Sequence, residues 1–252
     1  MVNDDTVRAV DRTLALIEFL REHGPATLST IVTNLQLPKS TVHRYLRTLR
    51  RQKYVVADGG VYRLSLWFLN LGEYARRQHS ASHLAAQKVG ELAEQTAERA
   101  QFIVEEHGRA IYVYQQLGSN AVEADTFPGK RVPIHASAAG LAILSQYSRD
   151  RVDAIIDRHG LNAITSHTID DPVALYDTLE QIRKRGYSIN DQGVIEGLRA
   201  IGTPVIGPDG TVIGGLSVSG PINRIDGERL TMQLPTLLLG ATNELELNLK
   251  YQ

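Results

Sequence analysis

Residues 37–49 read Leu37-Pro38-Lys39-Ser40-Thr41-Val42-His43-Arg44-Tyr45-Leu46-Arg47-Thr48-Leu49 and sort apolar from cationic side chains onto two faces of one helix. At about 100° per residue, Val42, Leu46 and Leu49 share one side, while Ser40, Arg44, Arg47 and Arg51 gather on the other. Such a helix can pack through its apolar side and lay its basic side in a DNA groove. From Lys39 to Lys53 there are six Lys or Arg and no carboxylate. Pro38 suits the first helical position, because the N–H it lacks would have no helical partner there. This segment alone leaves a solvated basic face as an alternative.

The flanking sequence narrows that choice. Thr27 to Leu35 places Leu28, Ile31, Val32 and Leu35 at i, i+3, i+4 and i+7 of one helical face, and only Gln36 and Leu37 separate it from the basic helix. Two helices joined so tightly predict a helix-turn-helix, in which the first helix braces the second against the DNA backbone. An earlier helix, Thr6 to Glu22, offers Val10, Leu14 and Ile17 as an apolar stripe and stops at His23-Gly24-Pro25. After the basic helix, residues 54–57 and 61–64 flank Asp58-Gly59-Gly60, a β-hairpin pattern that supplies a wing.

The stretch LPKSTVHRYLRTLRRQKYV, followed by YRLSLWFLNLG, resembles the N-terminal winged-helix domain of the IclR family of transcriptional regulators. Downstream, GKRVPIHASAAGLAIL, RGYSIND, GLRAIGTPVIGPDG and LSVSGPINRI are similar, in order, to that family's effector-binding domain. The resemblance covers nearly the whole chain. It implies an α+β fold: a winged helix-turn-helix over 1–65, a linker helix over 66–78, and a GAF-like effector-binding and oligomerisation domain over 79–252. It further implies control of catabolic genes by a small organic, carboxylate-bearing metabolite, and assembly as a homodimer or a dimer of dimers on double-stranded operator DNA. A competing reading keeps the DNA-binding helix but makes the C-terminal domain an oligomerisation module without effector response.

Charge is distributed as a DNA-binding protein requires. Residues 1–78 hold 12 Lys/Arg and 7 Asp/Glu, a net of +5, whereas residues 79–252 hold 15 and 21, a net of -6. Phosphate attracts the first segment and repels the second. The 252 residues suffice for two modest domains, each with its own core. Cysteine is absent, which excludes disulfides and thiolate chemistry, and neither a signal peptide nor an apolar run of about 18 residues is recognisable. A cytoplasmic protein without a membrane partner is expected. In the linker, Leu66 to Gln78, the apolar stripe of Trp67, Leu71 and Tyr74 fits either packing within the domain or contact with a second copy.

On the basic helix, Arg44 and Arg47 have the reach for bidentate contacts to guanine, and Ser40, Thr41, His43 and Thr48 can touch bases or phosphates. Lys39, Arg51 and Lys53 are placed for phosphate. In the second domain helices are expected near 82–98, 138–146, 149–159, 172–185 and 226–249, with strands near 101–106, 109–116, 201–206 and 211–219. Ser137 can cap a helix opening with Ala138, Ala139 and Gly140, whose backbone N–H groups would favour a carboxylate. Close packing through small residues is the other reading. On the strand 213–219, alternation puts Leu216 and Val218 on one face and Gly215, Ser217 and Ser219 on the other. The resemblance implies that Asn190, Ala200, Ser217 and Ser219 line the effector pocket; some relatives have an aspartate where this chain has Asn190.

No enzyme, cofactor or metal is expected. Gly215-Leu216-Ser217-Val218-Ser219 approaches a nucleophile elbow, but Ser219 stands where G-x-S-x-G requires its second glycine. His79 and His83 have the i, i+4 spacing of metal ligands but bring neither an H-E-x-x-H glutamate nor a cysteine pair.

Overall fold

A computed structural model describes residues 6–79 and 81–251, so the first five residues of the expected DNA-binding domain, and Ser80 and Gln252 of the effector domain, lie outside it. The chain divides into two compact units, residues 1–76 and 77–252.

The first unit contains α1 (Arg8–His23), β1 (Ala26–Thr27), α2 (Leu28–Leu35), α3 (Lys39–Arg51), β2 (Val55–Asp58), β3 (Val61–Leu64) and the greater part of α4 (Trp67–Arg77). Thr27 starts α2 by accepting a hydrogen bond from the amide of Thr30. Pro38 stands just before α3, as its cap, rather than inside the first turn. Val42, Leu46 and Leu49 are buried against Ile31, and Leu28, Val32, Leu35 and Tyr45 close the same core. The hairpin turn is Gly59-Gly60, with φ of 55° and 84° and Asp58 paired to Val61. Both turn residues need positive φ, which glycine adopts without strain. β1 joins as a third strand in the order β1-β3-β2.

Helix α1 corrects one expectation. Its core contacts come from Leu16, Phe19 and Leu20, with Ile17 half-buried, while Val10 and Leu14 are 53% and 54% exposed. Leu16, Phe19 and Leu20 have i, i+3, i+4 spacing of their own and take the inward face, and Phe19 stacks on His23 at 4.5 Å. No residue of α4 is buried; Trp67, Leu71 and Tyr74 are all exposed.

The second unit contains α5 (Ser82–Thr96), β4 (Arg99–Glu106), β5 (Arg109–Leu117), β6 (Arg131–Pro133), α6 (Ala138–Ser145), α7 (Arg149–His159), α8 (Pro172–Arg185), β7 (Ser188–Asp191), β8 (Leu198–Ile206), β9 (Val212–Pro221) and α9 (Leu234–Lys250). A π-helical turn over residues 229–233 leads into α9. The sheet is antiparallel, in the order β6-β5-β4-β9-β8-β7. Phe102, Val104, Leu216 and Val218 point from one face into a core with Val89 and Leu92 of α5 and Leu238 and Leu245 of α9. Ile103 and Tyr112 point from the other face toward α6, α7 and α8. This is the expected α+β architecture.

Helix α6 comes unusually near the sheet because glycine lies beneath it. A Cβ on Gly202 would stand 2.6–2.8 Å from backbone atoms of Ala138 and Ala139, and one on Gly215 about 3.0 Å from the Ala139 carbonyl oxygen. Gly202→Ala is therefore expected to destabilise the protein by about 1–3 kcal/mol. Gly240 lies on α9 with open space around its Cβ position, so Gly240→Ala is expected to stabilise by about 0.5–1 kcal/mol. Urea unfolding of both variants checks the pair; a harmless Gly202→Ala would contradict the close approach.

Candidate DNA-contacting helix and ligand cavity

In α3, Lys39, Ser40, His43, Arg44, Arg47, Thr48, Arg51 and the following Lys53 are exposed, and Thr41 is half-buried. Among the described residues none of these cations pairs with a carboxylate, so their charge is uncompensated by the protein. Arg44 lies 6.0 Å over the ring of Tyr45, and Thr48 Oγ1 donates to the Arg44 carbonyl at 2.9 Å. The Thr48 hydroxyl proton is thus spent within the helix. Lys53 has a left-handed φ of 66°, where the chain leaves α3 for the wing.

In the second unit, cross-strand register assembles a floor from residues far apart in sequence. Asn190, Ala200, Ser219 and Arg99 stand opposite one another in one row across β7, β8, β9 and β4. The adjacent row is Ser188, Gly202, Ser217 and Gln101. Above this floor is an open cavity of about 440 Å³, a volume that includes solvent space at its mouth. Ser137 and Ala138 close it from α6, Val194 and Ile195 from the β7–β8 loop, and Tyr112 and Thr126 from the far side.

Hydrogen bonding fixes what each floor residue can offer. Ser217 Oγ donates to Gln101 Oε1 at 2.9 Å, and Gln101 Nε2 donates to Ser219 Oγ at 2.9 Å. Ser219 keeps a proton to donate, and Ser217 keeps lone pairs to accept. Asn190 is committed to the fold: Nδ2 donates to the Ala136 carbonyl at 2.6 Å, and Oδ1 accepts from the Gly193 amide at 3.0 Å. It borders the cavity while tying the turn before α6 to the β7–β8 loop. Ala200 contributes its methyl and backbone. Ser137 Oγ accepts from the Gly140 amide at 3.1 Å, as the cap spacing predicts. Ala138 lines the cavity, whereas Ala139 and Gly140 lie outside its lining and sit in the close contact with the sheet and the preceding turn.

Arg99, Gln101, Tyr112 and Thr126 complete the site and were not identified from the sequence. Arg99 is 3% exposed; Nη1 donates to Thr126 Oγ1 at 3.2 Å, Nη2 donates to the Val122 carbonyl, and Nε is buried without an acceptor. Burial lowers its pKa, and burial pushes the Tyr112 hydroxyl up to about 12, so the phenol is neutral at physiological pH. The signal was present: Arg99 and Gln101 alternate with Ala100 and Phe102, but a strand begun at Gln101 omits the first of them.

The IclR helix-turn-helix family matches residues 9–59, and the bacterial transcriptional regulator IclR C-terminal family matches residues 75–245. The chain belongs to the IclR family. It is a DNA-binding transcriptional regulator and not an enzyme, as are the family members it resembles. It is 33% identical over 97% of its length, and 94% of the relative's, to the "Probable HTH-type transcriptional regulator ArcR" of Halobacterium salinarum. Identity is 32% to the acetate operon repressor of Salmonella typhimurium, covering 96% of this chain and 89% of that one. The crystal structure of an IclR homologue from Microbacterium hydrocarbonoxydans, complexed with 4-hydroxybenzoate, superposes with a TM-score of 0.79 at 24% identity, covering 97% and 98% of the two chains.

The two stretches of this IclR-family chain that approach catalytic or metal-binding motifs in sequence adopt neither arrangement in the fold. Gly215 to Ser219 run straight within β9, without the turn a nucleophile elbow needs. His79 packs edge-on against Phe102 at 5.8 Å, where burial lowers its pKa, while His83 is exposed. Among the described residues no three His, Cys, Asp or Glu gather as metal ligands, and no helix is long and apolar enough to cross a membrane. Ser137→Ala would strand the buried Gly140 amide and is expected to cost about 0.5–2 kcal/mol. An unchanged urea midpoint would show that the cap contributes nothing.

Proposed function

We propose that this regulator is an effector-controlled operator-binding protein of catabolic genes, acting in the cytoplasm as a homodimer or dimer of dimers. The carrying observation is the cavity of the second unit: its floor is assembled from four strands, and it still has hydrogen-bonding capacity to spare on Ser217, Ser219 and Arg99. A module used only for assembly has no need of such a space. A small organic carboxylate is the effector class; the 4-hydroxybenzoate complex of one homologue and the acetate operon named for one relative support it. Ala138, Asn190, Ala200, Ser217 and Ser219 form its surroundings, with Asn190 acting through the loop it holds. Ala139 and Gly140 serve to bring α6 close.

On DNA, Arg44 and Arg47 read base edges, with Ser40, Thr41 and His43 near the helix start, while Lys39, Arg51 and Lys53 contact the backbone and Thr48, whose proton goes to the Arg44 carbonyl, faces the groove as an acceptor. Exposed apolar residues Val10 and Leu14 of α1, and Trp67, Leu69 and Tyr74 of α4, supply the surface for a second copy.

Binding to a duplex from upstream of its own gene, followed by fluorescence anisotropy, tests the DNA reading. Affinity is expected to fall at least about 100-fold between 50 and 200 mM salt, as release of several phosphate counterions requires. Arg47→Ala is expected to cost about 1–3 kcal/mol and to relax preference at one base pair; an equal loss on every sequence would put Arg47 on phosphate. Ser217→Ala combined with Ser219→Ala is expected to abolish the response to acids while sparing acid-free DNA binding. An undiminished response would remove the cavity from the regulatory role, and a wild-type protein deaf to every small acid would favour the assembly-only module.

A further inference from the structure

Among its described residues the second unit keeps one buried formal charge without a counter-charge. Arg99 lines the cavity at 3% exposure, and among the described residues no Asp or Glu comes within ion-pair distance of it. Arg183 and Arg185 also donate only to carbonyls but are not buried, and other arginines of this unit have a carboxylate partner. Arg224 and Arg229 converge on Glu98 at 2.8 and 3.5 Å, Arg199 meets Asp191 at 2.9 Å, and Arg151 meets Glu105 at 2.7 Å. Arg99 donates only to uncharged oxygens, those of Thr126 and Val122, and leaves Nε without an acceptor. A desolvated guanidinium is unfavourable until an anion reaches it. The protein supplies none.

The rest of the lining restricts which anion fits. Ile103, Val194, Ile195 and Leu198 present hydrocarbon, which suits an apolar body. Tyr112 can add a neutral donor. Arg199 also borders the cavity, but its guanidinium is spent on Asp191 and on the Ile225 carbonyl at 2.8 Å. One uncompensated positive charge therefore awaits one negative charge; a dianion would bury a charge with no partner. Building on the effector reading above, we infer that Arg99 anchors the carboxylate of a monoanionic acid with an apolar body, and that it makes the pocket choose such an acid over its neutral analogue.

Calorimetry on the full-length protein with propionate, benzoate and phenylacetate, each against its amide, tests this. At least one acid is expected to bind at least about tenfold more tightly than its amide, the scale of a charge-assisted hydrogen-bonded pair. Arg99→Met is expected to erase that preference while leaving amide affinity within about threefold, because the amide never used the charge. Arg99→Lys, which keeps the charge and loses the planar fork, is expected to retain part of the preference. If Arg99 merely held the 119–130 segment in place, Arg99→Met would weaken acid and amide together. The inference is overturned by that result, by equal acid and amide affinity in the wild type, by acids that do not bind, or by a preference that survives in Arg99→Met. The wild-type comparison stands even if Arg99→Met fails to fold. Amide binding that is lost in the Ser217→Ala, Ser219→Ala double variant, without any acid preference in the wild type, would keep the effector pocket and discard the charge assignment.

Discussion

The second unit depends on how closely the first turn of α6 lies against β8 and β9. Gly202 and Gly215 leave the room, Ala139 fits the gap, and Ser188 Oγ donates to the Ala138 carbonyl at 2.7 Å to fasten the contact. Every residue of α6 is buried as a result. A helix seated this low brings Ser137 and Ala138 to the edge of a sheet whose next row carries Ala200, Ser219 and Arg99. The cavity is the space left where that row continues beyond the helix end. Strand register and helix packing place its floor, and hydrogen bonds among Gln101, Ser217, Ser219, Arg99 and Thr126 hold the side chains that line it.

The two units solve opposite electrostatic problems. In the first, six cations of residues 39–53 stay in water, where unpaired charge costs little, and phosphate can take them without breaking an internal bond. In the second, charge is taken inside and then neutralised: Glu98 is 1% exposed but is met by Arg224 and Arg229. Arg99 alone among the pocket cations departs from that pattern. A regulator needs a sensor that is unsatisfied until its ligand arrives, and an uncompensated buried guanidinium meets that need with a single residue.

What could be read in the sequence followed periodicity long enough to be seen. The bounds of the helices Arg149–His159 and Pro172–Arg185 are those expected, and α3 shows its apolar and basic faces where the spacing of Val42, Leu46, Arg44 and Arg47 put them. β1, β6 and β7 have two to four residues, too few to display a period of two, and lack the tight glycine turn that marks the equally short β2 and β3. The inward face of α1 is hidden for another reason: Val10, Leu14 and Ile17 form one helically spaced stripe and Leu16, Phe19 and Leu20 another, and spacing alone does not choose between them. Ser217 and Ser219 were legible from alternation along one strand. Arg99 and Gln101 became their neighbours only through strand pairing across more than a hundred residues, and a single sequence does not display that register.

Regulation requires that occupancy of the cavity and the grip of α3 on DNA be linked in free energy, and linkage is reciprocal. The most direct measurement is the affinity of the wild-type protein for its best-binding acid among propionate, benzoate and phenylacetate, taken with and without a saturating operator duplex, beside the operator affinity with and without that acid. Linkage predicts that both affinities change by one common factor, between about 5 and 150. Two affinities that each stay the same, whichever partner is present, would contradict it.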